Sequence, residues 1–97
     1  MDTLTINFDL VRQYFSGKPV KKAYLFGSFA TSMALPESDV DILVELDYSK
    51  PIGLEFVQMK IDLESILNKK VDLVSANGIS KHIRPFIEHD KVLIYAR

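Results

Sequence analysis

The sequence predicts an α/β fold, of the α+β kind, in which a β-sheet of about four strands is covered by helices. Segments of strand character alternate along the chain with segments whose apolar residues recur at helical spacing. Glycine or proline separates several of these segments, as expected at turns. The 97 residues have the length of one domain, which we assign to residues 1–97. The alternation indicates a sheet with helices packed against it.

The first helix is predicted at residues 5–16, because apolar side chains recur there at helical spacing. Pro19 follows shortly after and prevents the helix from continuing. The first strand is predicted at residues 21–26, where the sequence is mostly apolar or aromatic beyond two lysines. Gly27-Ser28 ends this strand with a turn.

A short helical segment is predicted next, at about 28–35. Pro36 ends it, because proline has no backbone N–H and clashes with the preceding helical turn. Residues 39–46 form the clearest strand of the chain. The aliphatic run that begins at Ile42 indicates that this strand is buried on both faces.

The longest helix is predicted at residues 54–68. One of its faces carries five apolar side chains: Phe56, Met59, Leu63, Ile66 and Leu67. A second, smaller apolar strip lies on the opposite side: Leu54, Val57 and Ile61. The second strip is expected to pack either on the sheet or on a partner protein.

The last part of the chain is predicted to contain a strand at 70–75, a short helix at about 80–89 and a final strand at 91–96. Ser80 is the expected N-cap of the helix. Pro85 lies one turn further on and is expected to delay the start of this helix or to kink it. The order of the four strands in the sheet is not readable from the sequence.

Composition excludes several classes of protein. The net charge of −1 provides no basic surplus, so direct nucleic-acid contact is not expected, and Lys69 and Lys70 are interpreted as solvated charges. With no cysteine, the chain cannot form disulfides, a thiolate zinc site or a cysteine nucleophile. No apolar run approaches the roughly 20 residues that cross a bilayer. The acidic N-terminal region argues against a signal peptide, and we expect a cytoplasmic protein without membrane contact.

Gly27-Ser28, directly after a strand, has the character of a phosphate-binding turn. Glycine permits a sharp turn and lets a phosphate approach the backbone N–H groups. The N–H groups of a helix that starts at Ser28 would also face the anion. The Ser28 hydroxyl can in addition donate a hydrogen bond to a phosphate oxygen, although Ser28 could also be a simple N-cap.

Three aspartates form the candidate metal site. Asp39 and Asp41 are separated by one residue, so in a strand they point to the same face, roughly 6–7 Å apart. Their repulsion would be about 2.5 kcal/mol at an effective dielectric constant of 20. A divalent cation removes this repulsion, and oxygen ligands suit magnesium. Asp72 lies within an aliphatic strand and could complete a three-carboxylate site if the two strands are neighbours.

This arrangement predicts nucleotidyl transfer, in which an acceptor hydroxyl attacks the α-phosphate of a triphosphate. Two magnesium ions held by three carboxylates can clamp the triphosphate and stabilise the leaving pyrophosphate. Asp39 and Asp41 are expected to hold both metal ions. Asp72 is expected to hold the catalytic ion and to help deprotonate the acceptor.

At these residues the sequence resembles the nucleotidyltransferase superfamily related to DNA polymerase β. The pattern of that superfamily is Gly-Ser, ten residues, then Asp-x-Asp. Here Gly27-Ser28 precedes residues 29–38 and then Asp39-Val40-Asp41, without any adjustment of spacing. Within the superfamily the chain is most similar to the minimal nucleotidyltransferases, or MNT proteins, of bacteria and archaea.

The resemblance implies the nucleotidyltransferase fold with a mixed sheet, a two-magnesium site and ATP or another nucleoside triphosphate as substrate. It also implies an antitoxin whose partner is a helical HEPN ribonuclease toxin, to which AMP is added, in a homo- or hetero-oligomer. Relatives often carry Ala-Arg-Gly or Ala-Lys-Gly after the Gly-Ser turn, whereas this chain has Ala30-Thr31-Ser32. The alternative is therefore an antitoxin that blocks its toxin by docking without catalysis. A small-molecule nucleotidyltransferase is a third interpretation.

Overall fold

Four strands form one mixed sheet in the computed structural model, which describes residues 7–31, 33–35 and 37–97. The strands are β1 (Val20–Phe26), β2 (Val40–Leu46), β3 (Val71–Ser75) and β4 (Val92–Ala96). Their order in the sheet is β3-β2-β1-β4. β2 and β3 are parallel, whereas the β1–β2 and β1–β4 pairs are antiparallel. The predicted α/β fold with a mixed sheet of about four strands is confirmed.

In the part of the chain that the structure describes, three helices accompany the sheet: α1 (Phe8–Phe15), α2 (Glu55–Leu67) and α3 (Arg84–Asp90). The Asn7 side chain caps α1 by accepting a hydrogen bond of 3.1 Å from the backbone N–H of Asp9. The predicted helix began at residue 5, and residues 5 and 6 lie outside the described part of the chain. α2 ends at Asn68, which adopts the left-handed conformation (φ 53°) and redirects the chain towards β3.

The short helix predicted at about 28–35 was wrong. Among the described residues of this segment, the only helical structure is a three-residue 3-10 turn, Gly27–Phe29. The backbone N–H groups of Ala30 and Thr31 both donate to the carbonyl oxygen of Gly27, at 3.0 and 3.2 Å, so the turn closes tightly on itself. Residues 33–35 continue without regular structure, and residues 32 and 36 lie outside the described part of the chain.

The last helix begins later than residue 80, as the position of proline suggested. α3 begins at Arg84, with Pro85 in its first turn, where a missing N–H costs no helical hydrogen bond. Ser80 is not its N-cap; the Ser80 hydroxyl accepts a hydrogen bond of 3.2 Å from the backbone N–H of His82 in the preceding turn. The side chain that buries α3 against the rest of the molecule is Ile87.

The core lies between one face of the sheet and helices α1 and α2. Alternate residues of β2 supply the sheet side of this core: Val40, Ile42, Val44 and Leu46. The helices supply Val11, Phe15, Met59 and Leu63, each fully buried. Burial of one such side chain contributes about 1.5–3 kcal/mol. The opposite face of β2 carries Asp41, Leu43 and Glu45, which leaves polar groups on the side away from the core.

The second apolar strip of the longest helix was expected to pack either on the sheet or on a partner, and its exposure excludes the sheet. Leu54, Val57 and Ile61 are 86%, 53% and 53% exposed, so this strip does not pack on the sheet. α2 is joined to α1 by the Tyr14 hydroxyl, which donates to Asp62 at 2.6 Å. No helix in the described ranges is long and apolar enough to cross a membrane.

Candidate active site

The parallel pairing of β2 and β3 brings Asp72 beside Asp41. The two residues are direct partners in the register of the two strands, so their side chains leave the same face of the sheet. Asp39 lies just before β2, and its negative charge acts on the Asp41 carboxyl group, so it lies near the same corner. The structure therefore brings the three aspartates to one corner of the sheet. The predicted three-carboxylate site depended on these two strands being neighbours, and the strand order could not be read from the sequence.

Gly27 lies directly beside Asp41, on the side of β1. Phe26, the last residue of β1, pairs with Asp41, and Gly27 follows with a φ of 71°. A β-carbon on Gly27 would overlap the Oδ2 atom of Asp41. Glycine is thus needed for its backbone conformation and for the space that it leaves to the carboxylate. The sequence predicted the turn, but it contained no sign of the contact with Asp41.

Ser28 lies in the 3-10 turn and is half-buried. Its carbonyl oxygen accepts a hydrogen bond of 2.9 Å from the backbone N–H of Met33. Within residues 7–31, 33–35 and 37–97, no hydrogen bond uses the Ser28 hydroxyl. The hydroxyl group is therefore able to donate to an anion beside Asp41.

The electrostatics of this corner favour a cation. Burial raises the pKa of Asp41, and the negative charges of Asp72 and Asp39 raise it in the same direction, so that the three effects together bring it to about 6. Asp39 and Asp72 are exposed, whereas Asp41 is half-buried. A bound cation would offset the repulsion among the carboxylates and stabilise the ionised form of Asp41.

The residues fit a magnesium site by their chemistry, because all three side chains offer the hard oxygen ligands that this ion prefers. Among the residues that the structure describes, no three His, Cys, Asp or Glu side chains already converge at ligand distances. Three like charges separate when no cation holds them together. The predicted metal-binding role of Asp39, Asp41 and Asp72 stays a prediction.

Lys69 lies beside this corner, although the sequence predicted only a solvated charge at this position. It is half-buried, and its Nζ atom is 5.5 Å from the centre of the Phe29 ring. The sequence signal that could have placed Lys69 near the site was its position just before the strand that contains Asp72. The two histidines, by contrast, are exposed and lie away from the aspartates in sequence. His89 contacts Asp90 through Nδ1 at 2.8 Å.

Comparison with known proteins identifies relatives over most of the chain. The family described as polymerase beta, nucleotidyltransferase, matches residues 10–97. A Methanocaldococcus jannaschii protein, provisionally named a protein adenylyltransferase, is 38% identical over 73 residues. The matched region covers 75% of this chain and 77% of that relative.

Two solved toxin–antitoxin structures share the fold. A toxin–antitoxin with AMP-PNP superposes with a TM-score of 0.80 at 20% identity, covering 95% of this chain and 75% of the matched chain. The second is a tri-AMPylated HEPN toxin of Shewanella oneidensis in complex with its MNT antitoxin. There the TM-score is 0.64 at 18% identity, covering 94% of this chain and 74% of the matched one. At such identities the likeness establishes the shared fold.

Proposed function

The chain belongs to the polymerase β nucleotidyltransferase family, and we propose that it transfers AMP from ATP to a hydroxyl group of a HEPN-type toxin protein. As a member of that family it is a nucleotidyltransferase. Two findings support a protein as acceptor: the name of the Methanocaldococcus jannaschii relative, a protein adenylyltransferase, and the AMPylated HEPN toxin in the Shewanella oneidensis complex. The AMP-PNP complex supports a nucleoside triphosphate as donor. Modification of the toxin would make this chain an antitoxin, acting in the cytoplasm where ATP is available.

The observation that carries the proposal is the pairing of Asp41 with Asp72 in the register of β2 and β3. Because Gly27 has no side chain, there is also room beside it for the Asp41 carboxylate. In the proposed site, Asp39 and Asp41 would hold two magnesium ions, and Asp72 would hold the catalytic one. The pKa of Asp41, raised to about 6 by burial and by its acidic neighbours, supports a need for positive charge at this position.

Gly27 and Ser28 bind the phosphates in the proposed site. The absence of a side chain on Gly27 allows a phosphate to approach the backbone of the turn. The Ser28 hydroxyl donates to a phosphate oxygen, which orients the triphosphate relative to the carboxylates. The positive φ of Gly27, 71°, supports this role because other residues rarely adopt that conformation.

The reaction is a displacement at the α-phosphorus. The acceptor oxygen forms a bond to this phosphorus while the bond to the bridging oxygen breaks, and pyrophosphate leaves. The proton of the acceptor hydroxyl passes to the Asp72 carboxylate and then to solvent. Magnesium, when bound by these carboxylates, would lower the pKa of the hydroxyl and neutralise charge on the leaving pyrophosphate.

Labelled ATP tests the proposal directly. The chain is incubated with magnesium, a HEPN toxin encoded beside it and ATP labelled at the α-phosphate. We expect label on the toxin, which an Asp39→Asn/Asp41→Asn variant fails to transfer. Glu45→Gln is the matched control, because Glu45 is a carboxylate on the same face of β2, four residues from Asp41. ATP labelled at the γ-phosphate should leave no label, and label from that position would indicate a kinase instead.

The second candidate is an antitoxin that inhibits its toxin by docking alone. One observation favours it: Thr31 stands where relatives often carry a cation. In that case the toxin is silenced without acquiring label, and the Asp39→Asn/Asp41→Asn variant silences it as well as the unmodified chain does. Loss of silencing in the variant would exclude docking alone.

A further inference from the structure

The segment of the chain that contains the phosphate turn and the first two aspartates of the proposed site has no positively charged residue. No lysine or arginine occurs between Lys22 and Lys50, a stretch that includes the Gly27–Phe29 turn and both Asp39 and Asp41. A nucleoside triphosphate carries several negative charges, and the three aspartates add more. Cations near the phosphates are the common means of binding such groups. A cation for the triphosphate therefore has to come from another element.

The fold brings Lys69 to this turn. The left-handed conformation of Asn68 ends α2 and turns the chain towards β3. The carbonyl oxygen of Lys70 accepts a hydrogen bond of 2.9 Å from the backbone N–H of Val40, so this segment lies next to Asp39. The Lys69 ammonium group is 5.5 Å from the ring centre of Phe29, the last residue of the Gly27–Phe29 turn. A cation is thus held at the turn by contact with an aromatic ring.

Two other lysines, Lys60 and Lys70, line the same open cleft of about 540 Å³. Lys60 forms an ion pair of 3.1 Å with Glu64. The charge of Lys70 also acts on Glu64, whose pKa is lowered by a backbone hydrogen bond from Val71 and by these lysines. Of the three lysines, Lys69 is the one in contact with Phe29.

We propose that Lys69 binds the β- and γ-phosphates of the nucleoside triphosphate and supplies the positive charge that the Gly27–Phe29 turn lacks. This inference rests on the proposed function. The lysine ammonium is a compact charge with three donors, so it can contact phosphate oxygens without the fixed geometry that arginine needs. Phe29 keeps the long side chain directed at the turn, which reduces the conformational freedom lost on binding.

Equilibrium binding to the full chain tests this role, with magnesium present and with AMP-PNP and AMP as separate probes. Lys69→Met keeps an apolar stem against Phe29 and removes the charge. We expect it to weaken AMP-PNP binding about tenfold or more, as for loss of a charge-assisted contact. Binding of AMP, which has no β- or γ-phosphate, should stay unchanged. Lys69→Arg should retain most of the affinity for AMP-PNP.

Lys70→Met is the matched control. It also removes one positive charge, but from the neighbouring residue, whose charge acts on Glu64. An equal loss of AMP-PNP affinity in Lys70→Met and Lys69→Met would reduce the effect to general electrostatics and overturn the assignment. The assignment would also be overturned if Lys69→Met bound AMP-PNP as tightly as wild type does, or if it lost as much affinity for AMP as for AMP-PNP. If Lys69→Met fails to fold, Lys69→Gln provides the same comparison. A wild-type chain that binds neither nucleotide would instead contradict the proposed function itself.

Discussion

Gly27 and Asp41 are packed so closely that a β-carbon at position 27 would overlap the carboxylate oxygen Oδ2 of Asp41. The contact joins the turn after β1 to the middle of the acidic corner, across the β1–β2 pair. It means that the proposed phosphate turn and the proposed metal ligand share one space. A change on either side is therefore expected to affect both.

Gly27→Ala should lower the free energy of unfolding by about 2–4 kcal/mol. About 1–2 kcal/mol comes from placing alanine at a φ of 71°, and the rest from the overlap with Asp41. Urea unfolding measures the sum. Gly53→Ala is the matched control: Gly53 also has a positive φ, 42°, but a β-carbon there meets no atom within 4 Å. It should show the backbone cost alone.

A double variant separates the two contributions at Gly27. Asp41→Ala removes the carboxylate, so Gly27→Ala introduced into that background should cost only the backbone part. The coupling energy between positions 27 and 41 should then be about 1–2 kcal/mol. Strictly additive effects of the two substitutions would show that the close contact has no energetic weight.

Asp41→Asn should stabilise the folded chain at pH 7.5 when no divalent cation is present. The pKa of Asp41 is raised to about 6 in the folded state, above its value of about 3.9 in an unfolded chain. The folded state therefore binds the proton more tightly, and stability falls as pH rises from about 4 to about 6. Solvent screens this half-buried group, so we expect a gain of about 1 kcal/mol at pH 7.5 and none below pH 4.

Thermal unfolding at both pH values measures this difference, with Glu45→Gln as the control for loss of a carboxylate from β2. A variant that is less stable than wild type at pH 7.5 would contradict the described electrostatics of the corner.

Magnesium should raise the unfolding temperature of the wild-type chain at pH 7.5, because a ligand that binds only the folded state stabilises it. The rise should be smaller at pH 5, where Asp41 is mostly protonated. Asp41→Asn and Asp72→Asn should each lose most of it, and chelation of the metal should reverse it. An equal rise in wild type and in both variants would place the bound magnesium elsewhere.

Asp47→Asn should destabilise the chain at neutral pH. Asp47 is only 8% exposed and accepts hydrogen bonds from Ser49 and from Arg97, the latter at 2.7 Å. These bonds hold the pKa of Asp47 well below its usual range, so its contribution is present at neutral pH and is lost as pH falls below about 4. Unfolding temperatures at pH 7 and at low pH test this. Asp9→Asn, which breaks the exposed pair with Arg12, should change little.

The sequence was sufficient for those parts of the fold and site that depend on local spacing. The separation of Asp39 and Asp41 by one residue predicts a shared face of a strand whatever surrounds it. The apolar periodicity of α2 predicted the face that buries Met59 and Leu63. Pro85 correctly indicated a late start of α3.

Features that depend on strand order or on tight turns were not readable. The pairing of Asp72 with Asp41 requires β3 to lie beside β2 in parallel, which one sequence does not specify. The Gly27–Asp41 contact and the position of Lys69 on Phe29 join residues far apart in the chain. The helix expected at 28–35 was replaced by the 3-10 turn Gly27–Phe29, because two backbone N–H groups close on the Gly27 carbonyl oxygen.

The mass of the intact toxin partner, before and after incubation with this chain, ATP and magnesium, tests the central claim most directly. We expect an increase by one or more AMP units with wild type, and none with Asp41→Asn or without ATP. Fragmentation should assign the added group to a hydroxyl-bearing residue. A toxin whose mass stays unchanged while wild-type chain and Asp41→Asn silence it equally well would contradict catalysis and leave docking as the function.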